Sequence, residues 1–358
     1  ILQTAEDKND IAVIILNVKQ ADLLQVDKRG PELKPEQKEM WEAMGLEPMP
    51  FKNVKFLLPR NPVGGPNSYE PIPEIYSTYA YDLPGTVDKL DLLFSNVADS
   101  SGTIEGIYAE IASGIQGSES EFENVQSWEQ LLEFLRKKML DKGRWRGLFA
   151  GSSLGMFRRH LRRAVQTRQT GIFVGSRSTN EKLLRNELIN IKGGKTYVID
   201  IAKLADDEQT LVFGDILRTI YSVKAEDLEE RTEESDVPGK IIIFVDELNK
   251  YAPTGSGSPI TQQVLDVAER GRSLGVILIS AQQFMSAVHP RVTGNSATKI
   301  IGRTGSSEVN APDYRFLDQD IRGAVTRLTK GELLISHAIY RQPVKIIFPM
   351  PAYKQEQN

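Results

Sequence analysis

The most constraining feature of this sequence is a run of five apolar residues that leads directly into two acids. Residues 241–249 read IIIFVDELN, so Asp246 and Glu247 follow the apolar run without an intervening turn. An unbroken apolar run of this length is typical of a strand buried on both faces of a parallel sheet. Doubly wound sheets bind their ligands at the carboxyl ends of such strands. The chain is therefore predicted to fold around a parallel sheet with two carboxylates at its ligand-binding edge.

Two adjacent carboxylates at a strand tip suggest metal-assisted chemistry. In a nucleotide hydrolase, the first acid holds the magnesium shell and the second polarises the water that attacks the γ-phosphate. We assign Asp246 to the magnesium, through water, and Glu247 to the attacking water. The alternative is a buried strand that ends in a solvated acidic turn and has no catalytic role.

A second apolar strand also ends in polar residues. Residues 276–283 read VILISAQQ and begin 30 residues after Asp246. That distance allows one loop, one helix and a return to the neighbouring strand. We therefore expect Gln282 to lie beside Glu247, where its amide can hydrogen-bond both the attacking water and a γ-phosphate oxygen. The alternative is that Gln282 and Gln283 only end the strand in a polar loop.

The helix predicted between these two strands ends with two arginines. Residues 268–275 read AERGRSLG and contain Arg270 and Arg272. A guanidinium is permanently charged and can reach a nucleotide on a neighbouring subunit, where it stabilises transition-state charge. Residues two apart on a helix point to different faces, so we expect one of the two to act, with Arg272 preferred over Arg270. The alternative is that both only complement the dipole at the end of the helix.

Apolar strands alternate with helices on both sides of a long helical region. The predicted strands are at residues 11–19, 54–58, 76–83, 171–174, 197–201, 241–245, 276–280, 299–303 and 332–337. Strands separated by helices imply right-handed crossovers and a mainly parallel sheet, which is an α/β fold. We predict a first part of the core at residues 1–84, a mostly helical insertion at 85–170 and a second part of the core at 171–358.

Composition limits the classes of site and partner. The chain has no cysteine and only three histidines, which excludes disulfides and thiolate metal sites and argues against a zinc site. The formal net charge is −4, so any contact with nucleic acid must come from a local cluster of cations. No apolar run approaches the roughly 20 residues that span a bilayer. We expect a cytoplasmic protein with no membrane partner.

One such basic cluster lies between residues 136 and 168, which contain eleven Lys and Arg and a single acid, Asp141. Its densest stretch is FRRHLRR, which could place several arginines along one helix to meet phosphates. The candidate DNA contacts there are Arg158, Arg159, Arg162 and Arg163. The alternative is a solvated helix face, or a subunit contact with the acidic loop at residues 224–239. Lys250 and Tyr251 form a second candidate pair, facing a pore.

Taken together, these motifs resemble the HerA branch of the HerA/FtsK ATPase superfamily. The resemblance is carried, in order, by DELNKYAP, ERGRSLGVILISAQQ, HPRVTGNSATKIIGRTGSSE and LTKGELLISHAIYRQPVKIIFP, and by AVIILNVKQADLL near the start. It is strongest over residues 240–350. It implies a RecA-like P-loop NTPase core that binds ATP and Mg²⁺, a homo-oligomer that is usually a hexameric ring, and movement of double-stranded DNA through its pore. It also implies a partner such as the nuclease NurA or another effector protein.

The resemblance also implies roles for individual residues. Asp246 and Glu247 match the Walker B acids, and Gln282 matches the sensor glutamine. Arg272 falls where the trans-acting arginine is expected, and Arg303 is a further candidate for a phosphate or interface contact.

The sequence departs from the family in one respect, because it contains no G-x-x-x-x-G-K-[ST] phosphate loop. Gly193 and Gly194 precede Lys195 and Thr196, but residue 189 is Ile, and the tetrapeptide precedes a predicted strand. We therefore predict a tight turn at Gly193 and Gly194. The family pattern leads us to expect the phosphate loop upstream of Ile1.

Three functions remain open on the sequence alone. The first is an ATP-driven, ring-forming double-stranded DNA translocase or helicase that works with a nuclease or other effector. The second is an ATP-binding scaffold or regulatory ring of an antiphage defence complex. The third is a motor of the conjugative coupling type.

Overall fold

A seven-stranded parallel sheet forms the centre of the computed structural model, which describes residues 7–166, 170–225 and 237–355. Its strands are β1 (Ile11–Asn17), β2 (Val54–Pro59), β3 (Ser77–Tyr79), β4 (Glu181–Lys182), β5 (Thr196–Asp200), β6 (Lys240–Asp246) and β7 (Val276–Ala281). The strand order is β4-β3-β2-β5-β1-β6-β7, and every neighbouring pair is parallel. The predicted α/β class with a mainly parallel sheet is therefore confirmed.

Helices cover the sheet and connect its strands. They are α1 (Pro35–Ala43), α2 (Leu90–Leu93), α3 (Thr103–Gln116), α4 (Trp128–Leu140), α5 (Gly151–Val165), α6 (Leu184–Ile189), α7 (Asp206–Ala225), α8 (Pro259–Leu274), α9 (Pro290–Asn295), α10 (Ser306–Val309) and α11 (Gln319–Val325). In the described part of the chain, no helix is both long and apolar enough to cross a bilayer.

The central strands are apolar because both faces of the sheet are covered. On one face, side chains such as Ile14 and Ile243 belong to the principal core. On the other face, Phe56 and Val198 pack with Leu24 in a smaller cluster. Burying each such side chain stabilises the fold by about 1.5–3 kcal/mol. Strands β1 and β6 each have a paired strand on both sides, so they and their carboxyl ends are held in place.

The region predicted as a helical insertion contains α2 to α5, and it packs into the same core as the sheet. Trp128 at the start of α4 is buried and donates its indole N–H to the Tyr81 carbonyl at 3.0 Å. Ser127 caps that helix by accepting the backbone N–H of Gln130. The fully buried Asp215 of α7 lies 3.0 Å from the ammonium of Lys89, which is also buried. The assignment of residues 85–170 as an insertion in the core stays a prediction.

The carboxyl-terminal strands differ from the prediction. β8 (Thr298–Ile301), β9 (Glu332–His337) and β10 (Val344–Ile347) form a separate antiparallel sheet in the order β10-β9-β8. The expectation that residues 299–303 and 332–337 join the parallel sheet is therefore wrong. Short strands that mix apolar and polar residues, such as TKII and VKII, suit a sheet with one solvated face. Residues 171–174 make only an isolated bridge, between Phe173 and Tyr81.

Candidate active site at the carboxyl edge of the sheet

The two acids singled out in the sequence lie at the carboxyl end of β6. Asp246 is the last residue of β6 and is in register with Ala281, the last residue of β7. The backbone N–H of Glu247 donates to the Ala281 carbonyl at 2.7 Å. Gln282 therefore directly follows the residue to which Glu247 is bonded, as the sequence predicted. Parallel pairing of β6 and β7 causes this proximity, while the catalytic roles of the three residues stay predictions.

The backbone at Glu247 adopts an unusual conformation. Its φ of 58° and ψ of 44° lie in the left-handed region, which side chains other than glycine rarely occupy. Strain of this kind persists where the surrounding structure fixes it, and it is enriched at functional sites. Here Asp246 Oδ1 also accepts the Glu247 N–H at 2.9 Å, which ties the two acids together.

Lys19, which the sequence analysis did not select, bridges the two acids. Its Nζ lies 2.9 Å from Asp246 Oδ2 and 3.0 Å from Glu247 Oε1. The hydrogen bond to Asp246 raises the pKa of Lys19 above its ordinary value, and the bond to Glu247 adds to this against the opposing effect of partial burial. The sequence could have indicated this role for Lys19 through its position two residues past the end of β1, because β1 is the strand that neighbours β6.

A second acid missed at the sequence level lies at the tip of β5. Asp200 is fully buried, and its Oδ1 accepts from Asn17 Nδ2 at 2.7 Å, while Ser68 donates to its other oxygen. Burial raises the pKa of Asp200, and the hydrogen bonds from Ser68 and Asn17 oppose that rise. The signal was the pattern YVIDI, which ends an apolar strand in an acid just as IIIFVDE does. With no access to solvent, this carboxyl group connects strands and loops.

Gln282 carries a polar atom without a partner. Its Oε1 is buried and accepts no hydrogen bond from the residues that the structure describes. Buried polar atoms are nearly always paired with protein, water or ligand. A side chain with an open acceptor beside Glu247 therefore fits a site that receives a further molecule.

The carboxylates fit magnesium that arrives with a nucleotide better than a resident ion. No group of three or more His, Cys, Asp or Glu side chains that could hold a metal occurs in the described ranges. Magnesium is commonly bound by one or two carboxylates, with substrate phosphates and waters completing its shell. Asp246 and Glu247 supply that number of carboxylates.

The arginines predicted to act on a nucleotide lie at the opposite edge of the sheet from the acids. Helix α8 has 16 residues, so it is about 24 Å long. It starts beside the loop that follows β6, where the Thr261 hydroxyl donates to the Tyr251 carbonyl, and it ends two residues before β7 begins. Arg272 is exposed near that far end, and a hydrogen bond between Arg270 and Tyr221 raises the pKa of Arg270. Neither guanidinium reaches Glu247 of its own chain, so a role in a neighbouring subunit stays a prediction.

The structure corrects the prediction for Tyr251 and gives positions for Lys250 and Arg303, whose roles stay predictions. Tyr251 was expected to face a pore, but it is buried against Phe213, with ring centroids 4.5 Å apart. Lys250 is held within the chain, because its Nζ bonds Asp206 at 2.6 Å and Gln209 at 2.7 Å. Arg303 is exposed, but it follows β8 in the antiparallel sheet, so it does not lie at the next tip of the parallel sheet.

Turn geometry explains the glycine pair at residues 193 and 194. Gly194 has a φ of 71°, and a Cβ on Gly193 would lie 1.6 Å from the carbonyl oxygen of Asn9. The pair thus forms a close turn before β5, as predicted.

Several cations of the basic cluster make contacts within the chain, and several are exposed. Arg158 donates from Nε to the Leu132 carbonyl at 2.9 Å, which fixes α5 to α4. Arg136 pairs with Glu133, and Arg146 pairs with acids on the neighbouring loop. The exposed arginines of α5 are Arg159, Arg162 and Arg163. Of the acidic loop weighed as their partner, residues 226–236 lie outside the described residues.

Comparisons with known proteins find similarity in sequence and in fold. No protein-family profile matches the chain. In sequence it is similar to the DNA double-strand break repair helicase HerA of Pyrococcus furiosus, with 26% identity over 191 residues, covering 45% of this chain and 34% of that protein. The chain thus spans about a third of the length of this relative.

Two solved structures share the fold over nearly the whole chain. VirB4 of Thermoanaerobacter pseudethanolicus superposes with a TM-score of 0.54 at 15% identity, covering 95% of this chain and 82% of that one. The plasmid coupling protein TrwB, in complex with a non-hydrolysable ATP analogue, gives a TM-score of 0.50 at 10% identity, covering 98% and 88%. The predicted RecA-like P-loop NTPase fold is confirmed.

Proposed function

We infer that this chain, which resembles the HerA/FtsK-type P-loop ATPases in sequence and fold, forms the catalytic part of an ATP-driven motor that moves double-stranded DNA. The convergence of Asp246, Glu247 and Gln282 at two adjacent strand tips carries this proposal. In this reading the protein works as a homo-oligomeric ring, with a hexamer as the expected size. An effector such as a nuclease would use or accompany the movement of DNA.

Each of the three side chains has a role that its position supports. Asp246 would hold the magnesium shell through water, and Glu247 would accept a hydrogen bond from the attacking water. The Gln282 Nε2 group would donate to a γ-phosphate oxygen. Its open Oε1 would accept a hydrogen bond from the attacking water. Magnesium supplied with ATP neutralises charge on the phosphates. A single preorganised polar group of this kind can raise the rate of the chemical step by about 10²–10³.

The proposed motor needs two further parts. The G-x-x-x-x-G-K-[ST] phosphate loop that the resemblance implies does not occur in the 358 residues. The outer edge of β7, beside Gln282, has no paired strand in the described part of the chain, so the sheet has room for a further strand there. A guanidinium from a neighbouring subunit, with Arg272 preferred over Arg270, would complete the site.

Contact with DNA rests on the exposed arginines of α5. Arg159, Arg162 and Arg163 lie on one basic helix whose other side packs into the core through Phe157 and Leu161. Non-specific binding to duplex DNA comes mainly from such contacts with phosphates.

The test uses the native full-length protein with Glu247→Gln. We expect ATP hydrolysis to fall by about 100-fold or more while binding of ATP and DNA is retained, because the amide keeps the shape of the carboxylate but not its charge. Hydrolysis by the variant at the normal rate would remove Glu247 from the mechanism. A wild-type protein whose hydrolysis is not stimulated by duplex DNA would favour the ATP-binding scaffold over the translocase.

A further inference from the structure

Lys19 points to a property of the site beyond the roles proposed above. We propose that Lys19 is an internal counter-ion of Asp246 and Glu247, and that a divalent cation displaces it when it binds. The inference rests on the proposed function for the identity of that cation. It concerns a residue to which the sequence analysis assigned no role.

The hydrogen bonds of Asp246 leave little room for a cation and Lys19 together. Asp246 Oδ1 accepts the Glu247 N–H at 2.9 Å, and Oδ2 accepts Lys19 Nζ at the same distance. A directly bound magnesium needs a carboxylate oxygen at about 2.0–2.1 Å, and a water-bridged one needs the same oxygen to accept from water. Each carboxylate oxygen has about two acceptor sites, so in either case a cation at Oδ2 would lie directly beside the ammonium.

Electrostatic repulsion also opposes the presence of Lys19 and a divalent cation at the same carboxylates. The ammonium offsets one of the two negative charges while no metal is present. A divalent cation beside the same carboxylates repels the ammonium, because like charges a few ångströms apart destabilise each other. Binding of the metal and pairing of Lys19 are therefore linked, and each weakens the other by the same factor.

Lys19 is also free to leave. Its side chain is 46% exposed, and it lies two residues beyond the end of β1. The flexible stem of a lysine can carry its ammonium into water without any change in the sheet. Until it leaves, Glu247 Oε1 is bonded to a cation, which makes that oxygen a poorer acceptor for water. In the absence of metal, the ion pair with Lys19 would therefore keep Glu247 from activating water.

The experiment measures metal affinity directly, with Mn²⁺ as the probe and no nucleotide, in the native full-length protein. Free Mn²⁺ is followed by its electron paramagnetic resonance signal. Lys19→Met keeps the length of the side chain and removes its charge, while the matched control Lys19→Arg keeps a cation. We expect Lys19→Met to bind Mn²⁺ about threefold to tenfold more tightly than wild type, as expected for the loss of two partly exposed ion pairs.

A set of named outcomes decides the proposal. Lys19→Arg should stay within about twofold of wild type, and adding Asp246→Asn to Lys19→Met should abolish the gain. Unchanged or weaker Mn²⁺ binding by Lys19→Met, or no saturable binding by that variant, overturns the proposal. Because no nucleotide is present, these results are independent of whether the protein hydrolyses ATP.

Chemical labelling provides a second measurement on the wild-type protein. Acetylation by an N-hydroxysuccinimide ester is quantified at Lys19 by mass spectrometry, with the exposed Lys142 as internal reference. Displacement predicts that Mn²⁺ increases labelling of Lys19 at least about twofold relative to Lys142. Labelling of Lys19 that stays constant or falls would show that the ammonium remains between the acids.

Discussion

The tips of β5 and β6 are two versions of the same sequence pattern with opposite environments. Each strand is apolar and ends in an aspartate at the carboxyl edge of one sheet. Asp200 on β5 is fully buried and is hydrogen-bonded by Asn17 and Ser68. The side chain of Asp246 on β6, in contrast, is 32% exposed and pairs with the flexible side chain of Lys19. The comparison teaches that an acid at a strand tip becomes available for chemistry only where the fold leaves it open.

The largest expected effect tests the open tip. Asp246→Asn should reduce MgATP hydrolysis by the native full-length protein about 100-fold or more, because it removes the charge that would hold the metal. Phosphate release measures turnover. The unfolding free energy, from denaturant titration, should change by less than about 1 kcal/mol, since the side chain is partly exposed. A large loss of stability would mean that Asp246 resembles Asp200 after all.

The same comparison predicts the reverse behaviour for the buried tip. Asp200→Ala should lower the unfolding free energy by about 2 kcal/mol or more, because it leaves the Asn17 amide and the Ser68 hydroxyl without their acceptor. Denaturant titration gives the value, and Asp246→Ala serves as the matched control. A loss below about 0.5 kcal/mol would remove Asp200 from its structural role.

A pH series separates the two tips further. Burial raises the folded-state pKa of Asp200 above its ordinary value of 3.8, so the folded chain holds this proton more strongly than the unfolded chain. Stability contributed by Asp200 is therefore present below about pH 3.8 and is lost as pH rises through the higher, folded-state value. Relative to wild type, Asp200→Asn should gain stability as pH rises through that window. Parallel pH profiles for the two proteins would contradict the assignment.

The smallest expected effect concerns the lysine that distinguishes the open tip. Lys19→Ala should change the unfolding free energy by no more than about 1 kcal/mol, because its two ion pairs are partly exposed and screened by water. Thermal unfolding in low and moderate salt measures the change, which salt should reduce further. A substantially greater loss would make Lys19 a structural residue, in contrast to a counter-ion that can leave.

Much of the site follows from the sequence because the relevant signals are local. The apolar runs at β6 and β7 and the helix between them place Glu247 and Gln282 at adjacent tips. Lys19 and Asp200 were missed because each acquires its partner across a strand pair. Residues 19 and 246 are separated by 227 positions, and residues 17 and 200 by 183. Tyr251 was misplaced because an aromatic residue after a polar one does not reveal which side chain turns inward.

The sequence by itself determined the parallel sheet, the pairing of β6 with β7 and the acids at the edge of the sheet. These follow from periodicity and from the need to bury unbroken apolar runs, which act over a few neighbouring residues. Only the tertiary structure decided which acid is open, which cation faces it, and that the last three strands form a sheet of their own. Those outcomes depend on solvent access and on contacts between distant segments, which arise only when the strands pack side by side.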